Sequence, residues 1–135
     1  MSNFIKSYQA NVGLNHVPAY QVSGRPFASG SINATEAIRV EFPYVTRWIY
    51  VVNHENTHCR IGYSLNGVEG TNYLRIGPQA GNENTQSTIR LEVKVSEVWL
   101  SGSSGVDVMA GLTTIPVSRV SGTIGPSFSG SVGVG

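Results

Sequence analysis

Residues 54–58 read His-Glu-Asn-Thr-His, which is the spacing that zinc peptidases use to hold a catalytic metal. On a helix, both histidines would lie on one face, one turn apart, with the glutamate beside a metal-bound water. The flanking residues, Ile-Tyr-Val-Val-Asn before and Cys-Arg-Ile-Gly-Tyr after, are instead strand-like. We therefore predict a polar loop without a metal. The alternative is a metal site that uses His54, His58 and Cys59 as ligands.

Two residues could take part in nucleophilic catalysis, Cys59 and Asp107. His58 precedes Cys59, but adjacent side chains on a strand point to opposite faces. We therefore predict that Cys59 is a small buried apolar side chain. Asp107, the one aspartate of the sequence, lies in a strand-like segment without an elbow or oxyanion loop, so no Ser-His-Asp triad is predicted.

The acidic residues are spaced for surface ion pairs and not for glycoside hydrolysis. Several alternate with Arg or Lys along strand-like segments, as in residues 39–41 and 90–94. A glycosidase needs two carboxylates that face one cleft. The acidic residues are Glu36, Glu41, Glu55, Glu69, Glu83, Glu92, Glu97 and Asp107. We predict no catalytic residue, no cofactor and no metal, and therefore a protein that is not an enzyme.

The two tryptophans, Trp48 and Trp99, lie within apolar segments. We predict that they anchor the core or an interface. Aromatic rings exposed on a β-sandwich could also stack on sugars, which leaves a carbohydrate-binding or receptor-binding function open. In that alternative, the loops at residues 66–72 and 77–86 would bind the ligand.

The elements that must position these residues are predicted to be strands. The 135 residues include 17 Val, 9 Ile and 9 Thr, but only 6 Leu, 7 Ala and 2 Lys. β-Branched residues lose χ1 freedom in helices and pack well on a pleated surface. Helix formers are too scarce for a helical bundle or a coiled coil.

Charge and cysteine content exclude several classes of protein. Charged residues make up 13% of the chain, against roughly 25% in an average soluble domain. The net charge of +1 offers little attraction to a phosphate backbone, so no nucleic-acid partner is predicted. A single cysteine excludes an intrachain disulfide. Since no signal-peptide pattern and no apolar membrane span is present, we expect folding in a reducing cytoplasm.

Three segments are predicted along the chain. They are an N-terminal arm at residues 1–17, a β-sandwich domain at 18–116 and a Gly/Ser-rich C-terminal tail at 117–135. The predicted strands cover residues 19–22, 27–32, 37–42, 45–52, 59–65, 73–76, 89–95, 97–100 and 106–115. Eight or nine short strands separated by frequent turns indicate an all-β antiparallel sandwich or barrel.

Several of these strands carry specific expectations. Residues 45–52 are nearly all apolar or aromatic, which predicts burial on both faces. Residues 89–95 alternate most regularly between apolar and charged. Asn66 and Gly67 form a strong hairpin signal because both residues accept positive φ. A turn is expected at residues 101–105, and helices, if any, should be single turns.

Four segments of the chain are similar to a known family, namely VPAYQVSGRPF (17–27), VEFPYVTRWIYVVN (40–53), LEVKVSEVWL (91–100) and AGLTTIP (110–116). They resemble the small single jelly-roll virion proteins of large icosahedral DNA viruses, of the penton or minor capsid type. The resemblance spans residues 17–116. It lies in the amino-acid sequences of the strand segments and includes no catalytic signature. It implies an eight-stranded antiparallel sandwich made of two four-stranded sheets, with flexible termini that bind neighbouring subunits.

The resemblance implies a virion structural protein that is assembled in the host cytoplasm. Its partners would be copies of itself in a ring such as a pentamer, the major capsid protein and other capsid subunits. The low charge agrees, because neutral polar side chains cost less to cover than unpaired Lys or Glu. A decoration protein of a tailed phage would also fit an arm, a sandwich body and a tail.

Overall fold

The structure, a computed structural model, describes residues 24–78, 87–119 and 132–135. The predicted arm at 1–17, the predicted strand at 19–22, most of the loop at 77–86 and most of the tail at 117–135 lie outside these residues.

The β-branched segments form eight strands in the described chain. These are β1 (Arg25–Ala34), β2 (Ile38–Glu41), β3 (Thr46–Asn53), β4 (Cys59–Gly62), β5 (Leu74–Ile76), β6 (Thr88–Leu91), β7 (Glu97–Ser101) and β8 (Ser103–Leu112). A short helix, α1 (Leu65–Glu69), lies between β4 and β5, and a 3-10 turn covers Val117–Arg119.

The strands pair into two antiparallel four-stranded sheets. Sheet A has the order β1-β8-β3-β6, and sheet B has the order β2-β7-β4-β5. The chain changes sheet at every connection except the one from β4 to β5, which are neighbours in sheet B. This order is a jelly roll, in which two Greek keys fold onto each other. It confirms the predicted eight-stranded antiparallel sandwich of jelly-roll type.

The core lies between the sheets and is filled by alternate residues of the strands. The inward side chains of sheet A include Ile49, Val51, Val106, Val108, Ala110 and Leu112, and those of sheet B include Val40, Ile61, Val98 and Leu100. Phe27 and Phe42 pack edge to face, with ring centroids 5.0 Å apart. Burial of these branched side chains, at roughly 25 cal/mol per Å² of apolar surface, is the main force that holds the sheets together.

The hairpin predicted at Asn66 and Gly67 was wrong, because both residues lie in α1. The Oγ of Ser64 accepts a hydrogen bond from the Gly67 N–H at 2.9 Å and caps the helix. Strands β4 and β5 still pair as antiparallel neighbours, with Cys59 opposite Ile76, but a helical turn joins them. Local N-capping therefore overrides the turn preference of the Asn-Gly pair.

The strand predicted at 89–95 is shorter than its alternating pattern indicated, because β6 ends at Leu91. The Oγ1 of Thr46 donates to the carbonyl oxygen of Val93 at 2.6 Å and accepts from the N–H of Val95 at 3.1 Å. Through these bonds the Thr46 hydroxyl takes the place of backbone groups as the hydrogen-bond partner of Val93 and Val95. The pairing of sheet A therefore ends, and the chain crosses to sheet B.

Two further expectations differ from the structure. The segment 45–52 is not buried on both faces, because Tyr50 on β3 is 39% exposed. The turn expected at 101–105 is reduced to Gly102, since β8 already begins at Ser103. Gly102 has a φ of +100°, and a Cβ there would lie 2.7 Å from the carbonyl oxygen of His58. Glycine is the residue that tolerates this close turn.

Candidate functional site

Residues 54–58 form an irregular loop between β3 and β4, in agreement with the loop predicted for them. This spacing places two histidines on one face only when the segment is a helix. Because residues 54–58 are not helical, the spacing does not have that effect here. His58 is exposed, whereas the neighbouring Cys59 is fully buried in the core. Two of the three ligands of the alternative metal site thus lie in different environments.

The loop at 54–58 is fixed at its start by the buried side chain of Asn53. Its Nδ2 donates to the carbonyl oxygens of Thr57 at 2.6 Å and Gly77 at 3.0 Å. Its Oδ1 accepts from the Ser103 hydroxyl at 2.7 Å and from the Glu55 N–H at 3.2 Å. Every polar atom of this buried amide is satisfied, so Asn53 has a structural role.

His54 contacts Asp107 on β8, with 2.6 Å between Nε2 and Oδ2. The other carboxylate oxygen of Asp107 accepts from the N–H of Ser31 at 2.8 Å. The Ser31 N–H, with the His54 ring as a further donor, holds the pKa of Asp107 below its ordinary value, against the smaller opposing effect of partial burial. In the described chain no hydroxyl or thiol is hydrogen-bonded to the His54 ring, so the pair lacks the nucleophile of a triad.

The thiol of Cys59 points into the core. Burial raises its pKa to about 11, and a weaker backbone hydrogen bond from Ser101 acts in the opposite direction. A thiol in this environment is protonated at neutral pH and is a poor nucleophile or metal ligand. Within residues 24–78, 87–119 and 132–135, no group of three or more His, Cys, Asp or Glu side chains could hold a metal ion.

Several charged residues form ion pairs on the surface. Arg39 pairs with Glu41, and Glu92 pairs with Arg90 at 2.8 Å and with Arg47 at 3.3 Å. Exposed pairs of this kind contribute up to about 1 kcal/mol to stability. These three arginines therefore match the surface role predicted for the alternating charges.

Both tryptophans are half-buried, and neither belongs to the core cluster. Trp48 lies beneath Arg90, whose Cζ is 5.1 Å from the ring centroid. The Nε1 of Trp99 donates to the carboxylate of Glu97 at 2.6 Å. Neither tryptophan therefore anchors the core, and both rings lie on the surfaces of the two sheets. The other part of the prediction, that they anchor an interface, stays a prediction.

The outer face of sheet A is apolar across three strands. Ala28 on β1 lies opposite Met109 on β8, and Met109 lies opposite Tyr50 on β3. A second row on the same face joins Pro26, Gly111 and Trp48. Met109 is 52% exposed, the largest fraction of any large apolar side chain within the strands. We name these six residues the sheet A face.

Charges are confined to the borders of the sheet A face. Arg90 on β6 closes the first row beside Tyr50 and is paired with Glu92. Asp107 lies two residues before Met109 on β8 and is paired with His54. Covering the centre of the face therefore removes apolar surface from water without stripping water from an unpaired charge.

The sequence did not reveal the sheet A face. Tyr50 belongs to a segment whose sequence predicts burial on both faces, and no pattern in the sequence distinguishes Met109. The combination appears only when the register places Met109 beside Tyr50. The hydroxyl of Tyr50, between the apolar residues Ile49 and Val51, is a local signal for an exposed position.

A cavity of about 310 Å³ lies beside α1, at the end of β4. It is lined by Ile61, Gly62, Tyr63, Thr71, Asn72, Tyr73, Leu74, Leu91 and Gly133. At its border, the Ser64 hydroxyl donates to the carbonyl oxygen of Val134 at 2.8 Å. The loop predicted at 66–72 as a ligand-binding loop thus contributes two residues to the lining, whereas most of the loop at 77–86 lies outside the described residues.

No protein-family model matches the sequence, and no curated protein or solved structure matches the chain. In the described residues, no helix is both long and apolar enough to cross a membrane.

Proposed function

We propose that this protein is a virion structural protein, a penton or minor capsid subunit that assembles through its sandwich and its terminal segments. The observation that carries the proposal is the sheet A face, an apolar surface on a jelly-roll domain. The jelly roll is an architecture of viral capsid and lectin domains. A contiguous exposed apolar patch rimmed by polar residues marks an interaction surface.

The composition of the sheet A face supports a protein partner. Its central row contains Met109 and Tyr50, at 52% and 39% exposure, with no charged side chain between them. Methionine and tyrosine are enriched in the buried parts of protein interfaces. The outer side of a four-stranded sheet offers area for packing, which suits subunit contact.

In this proposal the sheet A face contacts a different surface of the next copy, and repetition of that contact closes a ring. The segments at 1–17 and 117–135 reach the major capsid protein and other capsid subunits. Their apolar residues, among them Phe4, Tyr8, Ile124 and Phe128, supply the contacts that such segments need. The location of the protein is then the virion.

The proposed ring of subunits is tested by the mass of the purified protein in solution, measured across a range of concentrations. We expect a closed oligomer for the wild type and a monomer for Met109→Glu, because the substitution buries an unpaired carboxylate at the contact. Leu65→Glu is the matched control. Leu65 has a comparable exposure of 40% but lies on α1, away from the sheet A face.

Circular dichroism of each variant establishes that the sandwich is folded. A folded Met109→Glu variant that assembles as the wild type does would overturn the assignment of the sheet A face. A wild-type protein that remains monomeric at every concentration would overturn the proposal that the subunits form a ring.

A further inference from the structure

Residues 132–135 lie against α1, the short helix between β4 and β5. The hydroxyl of Ser64 connects the two segments, because it donates to the carbonyl oxygen of Val134 at 2.8 Å and accepts from the N–H of Gly67 at 2.9 Å. Ser64 is buried, with 1% of its surface exposed. One buried hydroxyl therefore holds residues 132–135 and caps the first turn of α1 at the same time.

Two glycines allow the backbones of these segments to approach each other closely. A Cβ added to Gly67 would overlap with the carbonyl oxygen of Val134. On the other side of the contact, a Cβ added to Gly135 would overlap with the hydroxyl of Ser64 and lie 2.5 Å from the nitrogen of Gly67. These positions leave no room for a side chain, so glycine is required on both sides of the contact while residues 132–135 are docked.

Apart from this close fit, residues 132–135 bury little side-chain surface. Val132 is fully exposed, and Val134 is only partly buried. The helix is held independently of them, because Val68 is fully buried and its N–H donates to the carbonyl oxygen of Ser64 at 3.0 Å. A segment with few buried apolar contacts opens locally while the rest of a fold stays intact.

The docked segment determines how the tail is attached to the sandwich. At the start of the tail, Ile115 is fully buried, and its carbonyl oxygen accepts from the N–H of Val45 at 3.0 Å. The tail is therefore anchored at both ends while residues 132–135 are docked. Once they leave α1, residues 120–135 are attached at one end only and can extend about 50 Å, more than the roughly 30 Å diameter of a small domain.

We propose that residues 132–135 are a strap that holds the tail on its own subunit, and that opening of the strap turns the tail into an arm while α1 and the sandwich stay folded. The strap depends on Gly67 and Gly135, which leave the space that it occupies. Gly133 also lines the cavity beside α1, so opening removes part of the cavity wall. The inference rests on the proposed function in one respect, because it makes contact between the tail and other capsid subunits conditional on opening of the strap.

Backbone ¹⁵N relaxation of the full chain tests the strap, in the Met109→Glu background that we expect to be monomeric. Without a further change, the order parameters of Val134 and Gly135 should be close to the value of about 0.85 for a rigid backbone. In Gly135→Ala they should fall below about 0.6, because the added methyl group closes the space that the strap needs. The spectra of β3 and β8 should not change.

Gly67→Ala should release the strap from the other side of the contact. Its Cβ would also lie 2.9 Å from the carbonyl oxygen of Asn72, outside the strap. Gly135→Ala is therefore the decisive variant, since the substituted residue belongs to the strap itself and leaves the sequence of α1 unchanged.

Asn66→Ala and Val132→Ala are the matched controls. Asn66 is exposed on α1 beside Gly67, and Val132 is exposed within the strap, so both substitutions alter the same segments outside the contact. Both should leave the order parameters of the strap unchanged. Values below about 0.6 without a substitution in α1 or the strap, or unchanged values in a folded Gly135→Ala variant, would overturn the inference.

Purified particles separate the failure of the strap from the failure of the proposed function. Absence of the wild-type chain from particles would contradict the proposed function, whatever the order parameters of the strap. If the wild-type chain is present, Gly135→Ala should enter particles in at least the same copy number, because its tail is already released. A lower copy number would show that the docked tail is the form that assembles, and would overturn the role given to opening of the strap.

Discussion

The imidazole of His54 lies 2.6 Å from the carboxylate of Asp107 and ties the loop at 54–58 to β8. Asp107 also accepts the backbone N–H of Ser31, a residue of β1 with a φ of +55°. Because the carboxylate accepts from both sides, it connects β1, β8 and the loop after β3. The histidine of a metal-binding motif thus serves here in a structural contact.

Asp107→Asn should lower stability in a pH-dependent way. The pKa of Asp107 is depressed in the folded protein, mainly by the Ser31 N–H. The carboxylate therefore stabilises the fold above its unfolded pKa of about 4, and this contribution is lost as the pH falls through the lower folded pKa. Since the side chain is 44% exposed, we expect a loss of about 0.5–1 kcal/mol at neutral pH.

Urea unfolding of the wild type and Asp107→Asn from neutral pH to about pH 2 measures this difference. It should shrink towards zero at the acid end. Glu69→Gln, at an exposed position on α1, is the control and should have no such effect. A stability difference that stays constant over the whole range would show that the charge of Asp107 contributes nothing.

Asn53→Ala should destabilise the protein much more than a change on the loop surface. It removes four hydrogen bonds of a fully buried amide, including those to Thr57 and Gly77. Buried groups left without partners cost about 1–3 kcal/mol each before relaxation, so we expect a total loss of about 2–4 kcal/mol. The measurement is the free energy of unfolding in urea.

Asn56→Ala is the control for this prediction, because Asn56 is exposed on the same loop. Its effect should remain within about 0.5 kcal/mol. Equal effects of the two substitutions would contradict the organising role of Asn53.

Gly102→Ala should cost more than about 1 kcal/mol, since the residue has a positive φ and its new Cβ would meet the carbonyl oxygen of His58. Gly24→Ala provides the comparison, because a Cβ at that position meets no atom within 4 Å. Thermal unfolding of the two variants measures the difference. If both variants melt at the wild-type temperature, the tight turn between β7 and β8 does not require glycine at position 102.

The Cys59 thiol should resist alkylation in the native protein. It is buried and its pKa is raised to about 11, so both access and the thiolate fraction are low at neutral pH. Iodoacetamide labelling followed by mass spectrometry should show slow modification without urea and fast modification in unfolding urea. Fast labelling of the folded chain would contradict the buried position of Cys59.

The sequence predicted the fold class well because the alternation of apolar and polar residues indicates which face of a strand is exposed to water. The alternation over residues 59–65 predicts a strand for this reason, and its apolar residues Cys59 and Ile61 both lie in the core. The helix at Asn66 and Gly67 was missed because it depends on the hydroxyl of Ser64, which competes with the turn preference of the pair.

The sheet A face and the strap were less accessible to sequence reasoning because contacts between distant segments create them. Met109 lies beside Tyr50 only through strand pairing, and Val134 lies against Gly67 only through the folding of the chain. A shift of one residue in the pairing of β3 with β8 would place Met109 and Tyr50 on opposite faces. Periodicity finds the strands, but it does not specify which residues of two strands become neighbours.

The most direct test of a virion structural protein is the amount of this chain in purified particles. Particles from cells that produce the protein would be separated on a density gradient, and its copy number relative to the major capsid protein would be measured by mass spectrometry. We predict a fixed ratio across the fractions that contain intact DNA-filled particles. A chain that remains in the soluble fractions, with none in intact particles, would contradict the proposed function.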